Sequence, residues 1–168
     1  MFTAFAISHQ RASAARRGVP SFITAGLIGM AIMAAGAFAS RHDIGVPLSK
    51  LSLLVKQFLL YFAFTFVLEE VAFRGALDSH LYHSPNDRRQ RGGSACLSAI
   101  FVSPLWGIWH LPALPAGNMA AFADAVPALI MIHTLVGVPL SFCWRASGSL
   151  VLPAAAHALL DSYRNCVQ

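Results

Sequence analysis

Charged side chains punctuate this chain at long intervals and leave extended apolar runs between them. Residues 18–40, 92–123, 125–144 and 146–160 hold no Asp, Glu, Lys or Arg. A helix needs about 20 mostly apolar residues to cross the hydrocarbon core of a bilayer. The pattern therefore predicts spans near 21–39, 95–113, 124–144 and 149–163, the last close to the shortest that can cross. A further helix is expected over 51–83, where the bulk of Phe58 to Leu68 outweighs Lys56, Glu69, Glu70 and Arg74. The first run has a rival reading. Arg11, Arg16 and Arg17 precede it and Ala37-Phe38-Ala39-Ser40 closes it, as in a cleaved secretory signal. Signal cores are typically only about 7–15 residues long, and further spans follow, so a retained helix is favoured.

Composition supports the same class. Of 168 residues, 57% are apolar and 11% charged, against about 45–50% and 25% in soluble domains. So little charge cannot cover a water-soluble globule, and disordered chains are polar and highly charged. The expectation is an all-α, polytopic membrane helical bundle of about five transmembrane helices. The net charge of +5 lies at segment ends with no basic stripe, which argues against a nucleic-acid partner and leaves the lipid bilayer as the first partner. Cys96, Cys143 and Cys166 form no C-x-x-C pair and are odd in number, so neither a disulfide framework nor a zinc ribbon is expected. Arg in the N-terminal tail, Arg88, Arg89 and Arg91 in the 84–94 loop, and Arg145 outnumber Arg41, Lys50 and Arg164 on the other side. That asymmetry predicts a cytoplasmic N-terminus in a plasma (inner) membrane protein. Organisation is simple: a basic tail over 1–20, then one membrane-embedded domain over 21–168.

Ionisable residues within spans cost at least about 2.5–3.5 kcal/mol each, so each asks for a partner or a function. Glu70 and Arg74 are four apart with the acid first, the favourable order for a helical ion pair, and a structural role is enough for them. Glu69 points about 100° away with no local cation, which makes it the candidate for chemistry. His110 follows Trp106 by four residues, and Pro112 and Pro115 end or kink its helix. His157 and Asp161 share one helix face. His133 is read as a hydrogen-bonded packing residue. Glu69 and His110 can meet only if the second helix continues to about residue 83. Glu69 would then lie about 21 Å, and His110 about 24 Å, from the 84–94 loop at 1.5 Å per residue.

A carboxylate facing imidazoles in a low-dielectric cavity suits activation of water for hydrolysis of an acyl bond, with a second His stabilising the oxyanion. Two His and a carboxylate are also a common metal-ligand set, although no H-E-x-x-H occurs. Glu69-Glu70-Val71-Ala72-Phe73-Arg74 resembles the E-E-x-x-x-R motif of the CPBP intramembrane proteases (CAAX prenyl proteases and bacteriocin-processing or immunity proteins). Trp106-Gly107-Ile108-Trp109-His110 is similar to the family's F-x-x-x-H, and Ala156-His157-Ala158-Leu159-Leu160-Asp161 to its A-H-A-x-x-N/D helix. The match covers about residues 55–163.

This resemblance implies a helical bundle around a polar cavity and an endopeptidase acting near the C-terminus of a membrane-associated substrate, such as a lipidated tail, leader or sorting peptide. It implies that Glu69 is the base for the attacking water and His110 its partner, with His157 and Asp161 at the oxyanion and Glu70, Arg74 and Trp106 in support. No cofactor is expected; the alternative is a divalent metal such as zinc on Glu69, His110 and His157. Trp106 stands where the motif has Phe, a change expected to act through bulk. Asp161 stands where better-studied members have Asn, and an ionised Asp cannot donate to an oxyanion. Competing readings are a catalytically silent immunity or scaffold protein and a small metal or proton carrier. One polar cluster rather than a string of them argues against transport.

Overall fold

A computed structural model of the chain describes residues 12–40, 45–82, 93–114 and 117–167, all of them helix or short connection. The 84–92 segment with its three Arg, Arg11 and Arg41 lie outside the described residues, so those charges are not placed. Helix α1 is Ala12–Ser40. It begins earlier than expected and takes in Arg16 and Arg17, both exposed, from the segment read as a basic tail. Helix α2, Leu51–Phe64, runs without a break into a π-helical stretch, Thr65–Asp78, and a last α-helical turn, Ser79–Tyr82. Helix α3 is Gly93–Trp109, followed by a 3₁₀ turn at Leu111–Ala113 where Pro112 forbids continuation.

The last two helices form a hairpin with clear stops. Helix α4, Met119–Ser147, opens on Asn118, whose side chain accepts the Ala121 N–H at 2.7 Å. Gly148 closes it at φ 64°, in the left-handed region, returning its N–H to the Trp144 carbonyl at 2.8 Å. Helix α5, Val151–Val167, then turns back.

Among the described residues, four helical segments are long and apolar enough to span a membrane: Arg16–Gly36, Leu48–Leu81, Cys96–Ala113 and Met119–Ser147. Helix α5, expected as a fifth span, is not among them. It carries Asp161 and Arg164 and buries Ala154, His157, Ala158, Leu160 and Ser162. It packs on α1, α2 and α4, while α4 is also embraced by α1 and α3. Close approach rests on small residues. A Cβ on Gly29 would stand 2.4 Å from Leu160, and one on Gly137 would stand 2.6 Å from the Ser103 hydroxyl.

The glutamate helix is tied down along its length. Lys50 donates to the Cys166 carbonyl at 2.7 Å, and the Asn165 amide to the Tyr61 hydroxyl at 2.5 Å. Near the other end, Asp78 is fully buried and pairs with Arg145 at 2.5 Å, and the Ser98 hydroxyl donates to Asp78 and accepts from Arg145 at 2.8 Å. Arg145 was expected as a loop cation. Its side chain is instead 8% exposed, inside the last turn of α4, because a carboxylate from another helix meets it there.

Candidate active site

The unbroken helix required for Glu69 and His110 to meet is present, and they do meet. Glu69 Oε2 lies 3.7 Å from His110 Nε2 and 3.9 Å from His157 Nε2. Three helical elements, the π-helical stretch, the C-terminal end of α3 and the middle of α5, thus converge on one carboxylate oxygen. The π-helical turn matters here. Its i→i+5 bonds widen the helix, so successive residues diverge less than the 100° expected of an α-helix. Both glutamates therefore reach the same imidazole: Glu70 Oε1 lies 3.1 Å from His157 Nδ1, on the opposite edge of the ring from Glu69.

The histidines are held in two ways. His110 Nδ1 lies 2.9 Å from the Trp106 carbonyl and His133 Nδ1 lies 2.8 Å from the Leu129 carbonyl. A carbonyl only accepts, so both rings carry a proton on Nδ1, and His110 turns its Nε2 toward Glu69. His157 has carboxylates at both nitrogens, Glu70 at 3.1 Å and Asp161 Oδ2 at 3.3 Å, and so donates from both. Asp161 in turn receives Arg164 at 3.4 Å.

Beneath this layer Glu70 and Arg74 form the expected pair, at 3.3 Å and with both side chains buried. Glu70 does more than support, since the same Oε1 also holds His157. Trp106 is the hub. Its ring lies 4.4 Å below the Arg74 guanidinium and meets His110, His133 and His157 edge-on at 5.7, 4.6 and 4.7 Å. Expected to act through bulk, it also donates its indole N–H to Glu69 Oε2 at 2.5 Å. His133, read as packing, keeps its backbone hydrogen bond, yet its ring stacks on His110 with centroids 4.4 Å apart. The signal for His133 in the sequence was only that of any intramembrane histidine. What brings it in is Gly107, where a Cβ would stand 3.2 Å from the His133 Cβ.

Of the ligand set suggested for a metal, Glu69, His110 and His157, the His157 ring faces Glu70 and Asp161 carboxylates at its two nitrogens, at 3.1 and 3.3 Å. Among the described residues, no group of three or more His, Cys, Asp or Glu is arranged to hold a metal ion.

The site stays open to the surroundings: His110 is 26% exposed, Asp161 18% and Glu69 12%, while Glu70 is sealed. The sequence profile described as type II CAAX prenyl endopeptidase Rce1-like matches residues 51–163. The chain belongs to that Rce1-like family. No curated protein and no solved structure matches it. Rce1-like membership, with four helices able to span a bilayer, makes this a multi-pass membrane protein of the CAAX-protease-like endopeptidase class, with a membrane-associated substrate.

Proposed function

We propose that this Rce1-like protein is a glutamate-type intramembrane endopeptidase in which Glu69 activates the attacking water. The observation that carries the reading is the convergence of His110 and His157, from two other helices, on Glu69 Oε2 at 3.7 and 3.9 Å. A water beside Glu69 gives one proton to the carboxylate while the lone pair on His110 Nε2 holds its other hydrogen. The hydroxide adds to the scissile carbonyl. The resulting oxyanion is stabilised by the positive charge of the His157 ring, which Glu70 and Asp161 hold from its two nitrogen edges. Glu69 then returns its proton to the departing amine, so the peptide bond is exchanged for a carboxylic acid and an amine with no covalent enzyme intermediate. Asp161 serves by orienting His157, which removes the difficulty of an acidic residue beside an oxyanion. The substrate is a membrane-associated peptide or protein, of which a lipidated C-terminal tail best suits the family, and the compartment is the inner membrane.

The test uses detergent-purified protein, wild type beside Glu69→Gln and His110→Ala, on a panel of quenched lipidated peptides with and without chelator. Cleavage that survives chelation and is lost in both variants is expected. Stoichiometric metal that departs in both variants, with chelator-sensitive cleavage, overturns the mechanism in favour of a metal-dependent enzyme. A cellular phenotype that Glu69→Gln leaves intact points instead to a silent scaffold.

A further inference from the structure

A phenylalanine at position 106, as the F-x-x-x-H pattern has it, would offer Glu69 only an apolar ring edge. This chain has tryptophan there, whose indole N–H is a donor and nothing else. The donor is used: Nε1 lies 2.5 Å from Glu69 Oε2, across 37 positions of sequence. Trp106 is 3% exposed, so water does not compete for the bond. Nor can the ring turn away. Arg74 covers its face at 4.4 Å, and the His133 and His157 rings abut it at 4.6 and 4.7 Å.

The two oxygens of the Glu69 carboxylate therefore differ. Oε2 receives Trp106 and faces His110 and His157. Oε1 has no hydrogen-bond partner among the described residues. We propose that Trp106 is a positioning residue that pins Oε2 and so assigns Oε1 as the oxygen that takes the proton from water. In that step the water O–H bond breaks, an Oε1–H bond forms, and the electron pair stays on the hydroxide. The indole proton is never transferred. Trp106 acts only through Glu69, so this inference rests on the base role proposed for Glu69. Hydrogen bonds to ionised groups are short and about twice as strong as neutral ones, enough to select one carboxylate rotamer.

Two measurements test it. Trp106→Phe keeps an aromatic ring and removes the N–H; kcat for a lipidated peptide is expected to fall about ten- to hundredfold with KM within about twofold. The second needs no activity. The chain has three tryptophans, Trp106, Trp109 and Trp144, so indole ¹⁵N labelling yields three N–H resonances in detergent. The Trp106 signal is expected downfield and slow to exchange, shifted by Glu69→Gln, and lost from that position in Glu69→Ala. A Trp106 resonance that exchanges like that of exposed Trp109 and ignores both variants overturns the proposal, even if Trp106→Phe fails to fold. So does wild-type kcat in folded Trp106→Phe. Should Glu69→Gln cleave normally while the Trp106 signature is intact, the base role of Glu69 fails and the positioning role with it, but the hydrogen bond stands.

Discussion

The π-helical stretch carries two polar clusters only a few residues apart, and they are built on opposite principles. Around Asp78, one carboxylate meets one guanidinium and one hydroxyl, with Asp78 sealed and Arg145 nearly so. Around Glu69 and Glu70, three carboxylates crowd a single imidazole, Arg74 and Arg164 pair with two of them, and Glu69, Asp161 and His110 stay partly accessible. A closed cluster fixes where helices sit. An open one keeps a basic oxygen ready for a substrate, at the cost of some stability. What separates the two is that no guanidinium pairs with Glu69 among the described residues and Glu69 is reached from outside, whereas Asp78 is paired and sealed.

The comparison is broken most decisively by exchanging effects between the clusters. Glu69→Gln is expected to lower peptide cleavage by about 10²–10⁴-fold with the thermal midpoint unchanged or raised, read by cleavage and melting on one sample. Arg145→Ala should do the reverse. It leaves the Asp78 carboxylate buried without its cation and should cost about 3–5 kcal/mol, measured by chemical unfolding in micelles, with kcat per folded molecule retained. Equal losses of activity in the two variants would dissolve the distinction between closed and open clusters.

Arg74 sits on the boundary, bonded to Glu70 and stacked on Trp106. Arg74→Ala is thus expected to reduce both quantities, activity by about tenfold or more and stability by about 3 kcal/mol. A loss confined to activity would move Arg74 wholly into the open cluster. Smaller still is Asp161→Asn, which keeps an acceptor for His157 and adds a donor; kcat within about tenfold of wild type is expected, whereas Asp161→Ala should fall further. The least effect belongs to His133→Phe. Its ring stack on His110 and Trp106 survives, and a drop of about twofold in kcat is expected, near the resolution of the cleavage assay.

Much of this was legible in the residues. Apolar runs marked three of the four helices able to span, and the bulk of Phe58 to Leu68 indicated the fourth, the long second helix that lets Glu69 reach His110. Spacing of four paired Glu70 with Arg74 and His157 with Asp161, and both pairs are present. The misses share one cause. Arg145 ends an apolar run and so looked like a loop charge, because its partner Asp78 lies 67 residues away. The double hold on His157 escaped because it follows from a π-helical turn, which no local pattern announces. For Trp106, size was visible in the sequence but the direction of the indole N–H was not.

What the sequence determined by itself was residence in the membrane, the helices and the short list of ionisable residues worth explaining. These follow from hydrophobic burial and helical period, which are local and non-directional and need no knowledge of neighbours. The tertiary structure alone decided which oxygen of Glu69 meets the indole, which edge of His157 faces which acid, and that Arg145 is locked inside. Those are hydrogen bonds, which demand about 3 Å separation and near-linear approach, and such geometry exists only once the helices have crossed.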